Sequence, residues 1–182
     1  MIANYDRKCK DTIGGLKRVY LMPYVKYSRS QIKSSGMTLT KFPIDIPFST
    51  YFKFDCEGSY TQNSEDEGGA VFFNQSVNIK LTKVYDNIDI HDFINKEFRV
   101  AAETNNGKYI MFGVRNGLEC TTTNSSGTDK SEFNGFDLSF KGKEEKVGLL
   151  TDLFKTIPYY IARVEADGGV VESSSCIDDK GL

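Results

Sequence analysis

The segment from Gly69 to Tyr85, GAVFFNQSVNIKLTKVY, has the clearest alternation of apolar and polar residues in the chain. Between Val71 and Thr82, one parity is apolar except for Gln75, and the other is polar except for Phe72. The apolar parity contains Val71, Phe73, Val77, Ile79 and Leu81, and the polar parity contains Asn74, Ser76, Asn78, Lys80 and Thr82. A period of two residues predicts a strand with one buried and one solvated face. Since strands usually have about five or six residues, we expect this one to extend past its own core.

A second alternating segment precedes it and predicts a long hairpin. Residues 48–60 alternate, and TQNSEDEGG separates them from the first segment. Glu65, Asp66 and Glu67 come before two glycines, which supply the positive φ of a turn while the charges keep the tip in water. The pattern predicts a hairpin over residues 48–85 with a charged tip at 61–69. The carboxylates lack the alternating ligand spacing of a calcium loop, so no metal site is assigned.

Further alternating segments predict a mainly β chain. Near the start, a strand over residues 16–21 is followed by Pro23, which predicts either an edge position or an early end. In the middle, turn signals at Asn105-Asn106-Gly107 and Asn116-Gly117 favour an antiparallel meander. Its strands are predicted over residues 97–103, 108–115, 118–123 and 133–142, and a terminal hairpin is predicted around residues 167–169.

Two segments have helical rather than strand spacing. Residues 86–98 place Ile90, Phe93 and Ile94 on one face, and residues 143–154 do the same with other apolar residues. Residues 28–47 are polar with little periodicity and predict a long loop that is mobile or reaches for a partner. Residues 155–182 are interpreted as a C-terminal extension. The predicted fold is a single domain over residues 1–182: an antiparallel two-sheet sandwich or barrel with one or two short flanking helices.

Charge and composition narrow the classes of partner. A net charge of −2 provides no basic excess, which argues against nucleic acid as the main partner. No run of about 18 apolar residues occurs and the start lacks a secretory signal pattern, so a soluble protein made in a cytoplasm, with no membrane partner, is predicted. Cys9, Cys56, Cys120 and Cys176 stand singly, which favours buried free thiols over a metal or redox pair.

The sequence contains no recognisable catalytic pattern. Phosphate-binding and dinucleotide-binding loops, metalloprotease motifs and nucleophile elbows are all missing. His91 is the single histidine and lies off the apolar stripe of its predicted helix, so it is interpreted as a surface residue. No catalytic, cofactor-binding or metal-ligating residue is assigned, and no enzyme is predicted.

In element order, the chain resembles the tail tube protein, or major tail protein, of tailed bacteriophages. FKFDCEGSYTQNSEDEGGAVFFNQSVNIKLTKVY is similar to the long hairpin of that family, with NIDIHDFINKEF in the position of its helix. FRVAAETNNGKYIMFGVRNGLECTTT and FNGFDLSFKGKEEK are similar to its later strands. The start, CKDTIGGLKRVYL, resembles openings of small virion proteins in some tailed phages. The resemblance covers most of residues 9–142.

This resemblance implies a structural function in the virion. In the family, six subunits form a ring whose inner sheets join into a β-barrel, and stacked rings form a tube. The implied partners are further copies of the chain, other tail and connector proteins, and viral DNA that passes transiently through the lumen. The implied location is the virion tail, assembled in the host cytoplasm.

Physical chemistry then suggests roles for two sets of residues. Asn74, Ser76, Asn78 and Lys80 are proposed to line the channel, since a face with few charges holds a passing polyanion weakly. Contacts between subunits are proposed for the acidic tip and a basic group in the long loop. The acidic residues are Glu65, Asp66 and Glu67, and the basic ones are Arg29, Lys33 and Lys41.

Two other functions remain open at this stage. A connector, tail-completion or terminator protein would share the fold and stop at one ring. A ligand-binding or hydrolytic β-barrel would instead use the polar face to line a pocket.

Overall fold

The computed structural model describes residues 14–43, 50–53, 56–82, 93–128, 132–151, 160–164 and 170–174, and this part of the chain is mainly β. It contains thirteen strands and no helix. The strands are β1 (Leu16–Pro23), β2 (Lys33–Ser35), β3 (Thr38–Lys41), β4 (Thr50–Lys53), β5 (Cys56–Glu67), β6 (Ala70–Thr82), β7 (Glu97–Thr104), β8 (Tyr109–Phe112), β9 (Leu118–Ser125), β10 (Gly135–Glu144), β11 (Leu149–Leu150), β12 (Tyr160–Val164) and β13 (Val170–Ser174). All belong to one mixed sheet, which confirms the mainly β prediction.

Strand β7 connects two parts of this sheet. The main path has the order β13-β12-β4-β1-β7-β8-β11-β3-β2, and the four-stranded branch has the order β9-β10-β6-β5. The first residues of β7, Glu97 and Phe98, pair with β9, whereas residues 100–103 pair with β8. The branch is antiparallel throughout. Two parallel pairs, β11 with β3 and β12 with β4, make the main path mixed.

The larger hydrophobic cluster contains residues of both the main path and the branch. Rings from both parts meet in it: Phe98 and Phe140 are edge to face at 5.9 Å between centroids, and Tyr60 lies 5.1 Å from Phe112. The predicted apolar parity of β6 contributes Val77, Ile79 and Leu81, and that of β10 contributes Phe136, Leu138 and Phe140. The alternation of β6 and β10 is therefore confirmed where these strands cover the main path.

A second cluster covers the opposite face of the main path. Tyr20 and Met22 of β1 pack there with Ile32, Leu39 and Phe42, which flank or belong to β2 and β3. Since β1 lies between both clusters, its residues 19–22 are all buried and do not alternate. β1 ends at Pro23, which matches the predicted early end. The other predicted alternative, an edge position, is wrong because β4 and β7 flank β1.

The long hairpin is confirmed over residues 56–82, but residues 50–53, predicted in its first arm, form β4 and pair with β1 instead. The tip is also shorter than predicted. β5 and β6 pair from Cys56 opposite Leu81 to Glu67 opposite Ala70. Only Gly68 (φ 61°) and Gly69 (φ 88°) form the turn. Two successive positive φ values are the geometry of a type I′ turn, whose twist matches that of the flanking strands. Residues 61–67, predicted as tip, continue the ladder and place the acidic side chains along the end of a strand.

The segment predicted as a long loop, residues 28–47, contains a small hairpin in its described portion. β2 and β3 pair around a turn at Gly36 (φ 56°). Ile32, Leu39 and Phe42 are too sparse in the sequence to form a visible alternation, yet all three are buried. The second cluster therefore holds the segment against β1.

The helix predicted over residues 143–154 is wrong for residues 143–151. Residues 143 and 144 end β10, and β11 pairs with both β8 and β3. At Gly148, an added Cβ would lie 2.8 Å from atoms of Ile110 and Phe112, so the backbone runs directly against β8. Glycine also weakens a helix interior. Pairing with neighbouring strands thus outweighs the helical spacing of a few apolar residues.

The other predicted helix, residues 86–98, falls mostly outside the described residues, as does His91. Phe93–Asn95 form a turn rather than a helix, and β7 begins at Glu97. Asn95 has φ 58°. A left-handed residue does not continue a right-handed helix, although Asn tolerates it better than most side chains.

The meander prediction holds for two strand pairs and fails at one turn. β7 pairs with β8, and β9 with β10, as predicted. Asn116-Gly117, however, does not join a hairpin: β9 pairs with the start of β7 instead of with β8. Gly113 (φ 65°) and Gly117 (φ 81°) carry the chain from the main path to the branch. A Cβ at Gly113 would lie 2.8 Å from Leu118, so this crossing is tightly packed.

The terminal hairpin was predicted correctly. β12 and β13 pair from Tyr160 opposite Ser174 to Val164 opposite Val170, and β12 adds to the main path beside β4. The remainder of the extension over residues 155–182 lies outside the described residues.

Candidate assembly surface

The polar face of the four-stranded branch contains all four residues predicted to line a channel. Asn74, Ser76, Asn78 and Lys80 lie on consecutive same-face positions of β6. Across the ladder from them are Lys143, Lys141, Ser139 and Asp137 of β10. The opposite face of the same two strands lies on the larger cluster. The strand period therefore gathers these side chains onto a single surface directed away from the core.

Charges on this face are interspersed with opposite charges and neutral polar groups. Lys80 is opposite Asp137, and Lys141 is opposite Glu119 on β9. Between these rows, Ser139 Oγ is 2.7 Å from Asn78 Oδ1. Lys80 Nζ also lies 5.6 Å from the centre of the Phe133 ring. The arrangement offers a polyanion little net attraction.

Part of the β5–β6 hairpin extends beyond the packed core. On β6, Val77 and Ile79 are fully buried, whereas Val71, on the same parity, is 54% exposed. β10 accompanies β6 only as far as Phe73, opposite Glu144. Beyond that residue β5 and β6 pair with each other alone among the described strands. The predicted overhang therefore exists. Together with the exposed or half-buried residues next to it, it forms residues 61–74, none of which is buried, and we call this range the projecting end.

Lys143 connects the projecting end to β10. Its ammonium is 3.4 Å from Glu65 Oε2 and forms a hydrogen bond with Glu67, and it lies 5.1 Å from the centre of the Phe72 ring. The hydrogen bond with Glu67 is the main cause that raises the pKa of Lys143. Asn74 Nδ2 donates to Glu65 Oε2 at 2.8 Å. That hydrogen bond is the largest of the causes that lower the pKa of Glu65.

The third acidic residue has a local role in the turn. Gly69 N–H donates to Asp66 Oδ1 at 3.1 Å. Asp66 is opposite Val71 and so lies on the other face from Glu65 and Glu67. The acidic run therefore divides between the two faces of the hairpin, which its consecutive positions in a strand require.

The basic residues predicted to bind this tip lie on or next to the β2–β3 hairpin. Arg29 Nη2 donates to Glu145 Oε1 at 2.7 Å. Lys33 and Lys41 are opposite each other and exposed. Arg29, Glu65 and Glu67 thus have their partners within one chain. These partners, Lys143 and Glu145, lie directly before and after Glu144, the last residue of β10. The structure does not bring the acidic and basic sets together.

A buried polar group at the crossing from β8 to β9 was not assigned from the sequence. Glu144 accepts hydrogen bonds from the N–H groups of Arg115 (2.9 Å) and Asn116 (2.7 Å). Burial is the main cause that raises its pKa, and these backbone donors oppose it. Gln75 accepts from Gly113 N–H at 2.9 Å and donates to the Lys146 carbonyl at 2.8 Å. These side chains satisfy backbone groups that no ladder reaches.

The sequence carried a signal for part of this group. Gln75 is the single polar residue on the apolar parity of β6, and extending the β10 alternation past Phe140 would have placed Glu144 on the core face. A cavity of about 10 Å³ lies between them, next to Arg115 and Ser34. Its volume suits about one water molecule.

Arg99 is a second buried polar residue that the pattern could not identify. Three rings face its guanidinium: Tyr24 at 4.4 Å, Tyr27 at 4.9 Å and Phe42 at 5.4 Å from ring centre to Cζ. It donates to the carbonyls of Val25 and Val114. Burial is the main cause that lowers its pKa. Arg99 therefore holds the segment after β1 on the sheet.

The described residues show few reactive or ligating groups. No set of three or more His, Cys, Asp and Glu side chains in the described ranges could hold a metal ion. Cys120 is buried and free, as predicted, and burial raises its pKa to about 12. Cys9 and Cys176 lie outside the described residues. Within the described ranges, no helix has the length and apolar character needed to cross a membrane.

Comparison of the chain with protein-family models, curated proteins and solved structures finds no match.

Proposed function

We propose that this chain is a structural virion protein that forms hexameric rings, which stack into a tail tube through which viral DNA passes. The observation that carries the proposal is the β5–β6 hairpin. Its base is built into the core, whereas its projecting end has little cover from the described residues. A strand pair of this length is unusual for the core it serves. Assembly with other copies would give the projecting end its packing partners.

The polar face of the branch supports a channel. It is charge-balanced, and each phosphate that a Lys or Arg neutralises adds binding that DNA in transit must break again. Four strands from each of six copies would give a barrel larger than porins of about 16–18 strands, which already enclose an aqueous channel. The lumen would be lined by Asn74, Ser76, Asn78 and Lys80.

The finer fold expected for such a subunit is a two-layer sandwich. The larger cluster supports it, because the main path and the branch both bury their apolar faces in it. The main path would then form the outer layer of the ring and the branch the inner one. The β2–β3 hairpin, with Lys33 and Lys41 exposed, would be placed to meet the acidic end of a copy in the adjacent ring.

Negative-stain microscopy together with light scattering of the purified chain tests this proposal. We expect rings or tubes with six-fold symmetry, at concentrations at which the projecting end becomes protected from hydrogen exchange. A compact monomer at high concentration, already protected along residues 61–74, would reject the proposal and favour a pocket-forming β-barrel.

One observation favours a connector or terminator ring as a second candidate. Arg29, Glu65 and Glu67 already have partners within the chain, so stacking through them would require those pairs to exchange. A protein that stops at one ring has no such requirement. Single rings that do not elongate at any concentration would support this candidate. In both cases the neighbours are copies of the chain and other tail or connector proteins.

A further inference from the structure

Among the described residues, the four-stranded branch has an open edge on each side. β5 pairs only with β6 among the described strands. On the other side, β9 contacts β7 through Leu118 and Glu119, and no described strand lies beside its residues 121–125. An open edge presents backbone N–H and C=O groups to any strand that fits it.

The direction of the backbone groups on β9 follows from one hydrogen bond. Cys120 N–H donates to the carbonyl of Lys96, on the side away from β10. Along a strand in an antiparallel ladder, successive residues direct these groups to alternate sides. Thr122 and Asn124 therefore direct their N–H and C=O groups to the open edge.

The direction on β5 follows from the turn. In a two-residue hairpin, the pair that closes the turn, here Glu67 and Ala70, exchanges hydrogen bonds across the ladder. Alternation from Glu67 then directs the backbone groups of Ser64, Gln62 and Tyr60 away from β6 and to the open edge.

The two edges match in side-chain direction as well. Thr122 is opposite the buried Leu138, and Tyr60 is opposite the buried Val77, so both lie on the apolar face of the branch. On each edge the residues whose backbone groups are available are thus those on the apolar face. The two edges can therefore pair without a one-residue shift in register, which would place the apolar side chains of one copy on the same face as the polar side chains of the next.

Strand direction also fits. With four antiparallel strands, β5 and β9 run in opposite directions. Copies related by rotation about an axis along the strands all keep the same direction, so β5 of one copy meets β9 of the next in an antiparallel arrangement.

We propose that β5 of one copy pairs antiparallel with β9 of a second copy, with Thr122 opposite Tyr60, Gln62 or Ser64. This inference rests on the proposed function, because it names the joint through which the ring closes. It continues the ladder and the polar face from one copy to the next. The joint is head to tail, so it does not stop at a dimer, and it closes into a ring when the rotation between copies divides the full circle.

Paired cysteines test the joint and its register together. Thr123→Cys is combined in turn with Ser59→Cys, Thr61→Cys and Asn63→Cys, all on the exposed polar face. In the three permitted registers one of these is opposite position 123, in a pair without hydrogen bonds, where the Cα separation of about 4.5 Å suits a disulfide. On mild oxidation, one combination should yield covalent multimers at least about tenfold faster than the other two. The single variants and the unaltered chain set the baseline from the native cysteines.

A second experiment removes one edge donor. Thr122→Pro deletes an outward N–H, and proline is tolerated at edge positions whose N–H makes no ladder bond. We expect the concentration at half-assembly to rise about fivefold, because one hydrogen bond worth about 1 kcal/mol is lost at every joint. Thr122→Val keeps the N–H and the shape, and should stay within about twofold of the unaltered chain.

The outcomes separate the joint from the function. The β5–β9 joint is overturned if rings form but none of the three cysteine pairs cross-links. It is equally overturned if Thr122→Pro forms rings as readily as the unaltered chain. In both cases the ring proposal still stands. A chain that is monomeric at all concentrations overturns both. Circular dichroism tests whether Thr122→Pro is folded. If it is not, Ser64→Pro on the facing edge and the cross-links decide.

Discussion

The two ends of the β5–β6 hairpin have the same ladder but different surroundings. At the base, Val77 and Ile79 are covered by β1, β7 and β8 across the larger cluster, and β10 continues the sheet. At the projecting end, Val71 is exposed and the polar links to the rest of the chain run through Lys143 and Gln62. The base specifies the fold. The projecting end contributes little to the stability of one subunit and is available for another role.

Deleting a ring at the base should have the largest effect on stability. Phe140 is fully buried and packs edge to face on Phe98. We expect Phe140→Ala to lower the free energy of unfolding by about 3–5 kcal/mol, because it leaves a cavity between the main path and the branch. Urea denaturation measures it. A loss below about 1 kcal/mol would show that the two parts do not pack as described.

A matched pair on β6 compares the two ends directly. Val77 and Val71 share residue type, strand and parity, and differ in exposure, at 0% and 54%. Val77→Ala should cost about 1.5–3 kcal/mol, and Val71→Ala should stay within about 0.5 kcal/mol. The same denaturation experiment serves for both. Equal losses would mean that the projecting end is packed within the subunit.

Two carboxylates, the buried Glu144 and the exposed Glu65, should also respond oppositely to pH. The pKa of Glu144 is raised, so its stabilising contribution is complete below the pKa of the unfolded chain and is lost as the pH rises through the folded value. In the unaltered chain, this loss of stability should begin near pH 4, and in Glu144→Gln it should be absent. Unfolding curves measured across the pH range test this. Glu65 has a lowered pKa, so its contribution is lost as the pH falls. Glu65→Gln should therefore change the curve in the opposite direction and by less, since its side chain is exposed. Curves that change in the same direction for both variants would contradict this assignment.

The smallest expected effect concerns the polar link at the projecting end. Asn74→Ala removes the hydrogen bond to Glu65 and leaves the salt bridge with Lys143. The pKa of Glu65 should return part of the way to its ordinary value, without a measurable change in stability. NMR titration of the Glu65 carboxyl carbon measures it. An unchanged pKa would show that Lys143 alone holds this carboxylate in its charged form.

Sequence alternation was sufficient where a strand has one face on the core and one in water. It located β6, β10, the hairpin and the four candidate channel residues. It failed where both faces are covered, as at residues 19–22 and Arg99, because no polar parity remains to mark the second contact. It also failed at β11, where two paired residues are too few to show a period and Gly148 is required by the approach of Phe112.

Which strands pair was harder to predict than where they lie. Asn116-Gly117 has the composition of a hairpin turn, but the groups it leaves open are satisfied by Glu144, which is distant in sequence. Local turn chemistry carries no information about such a partner. The contacts of Glu65, Glu67 and Arg29 with Lys143 and Glu145 were missed for the same reason, since charge alone does not distinguish a partner in the same chain from one in a neighbour.

The pairing of β1 with β7 has a consequence for the time at which the fold can form. Leu16 is opposite Thr104, so β1 leaves the ribosome long before its central partner is made. At about 5–20 residues per second this interval lasts several seconds. Contacts so far apart in sequence also slow folding after release, because the chain entropy lost on closing the loop precedes the gain from packing. In the proposed ring, the edges of the branch could be fully presented to a neighbour only after the chain through β10 had been synthesised, so association would begin after that point.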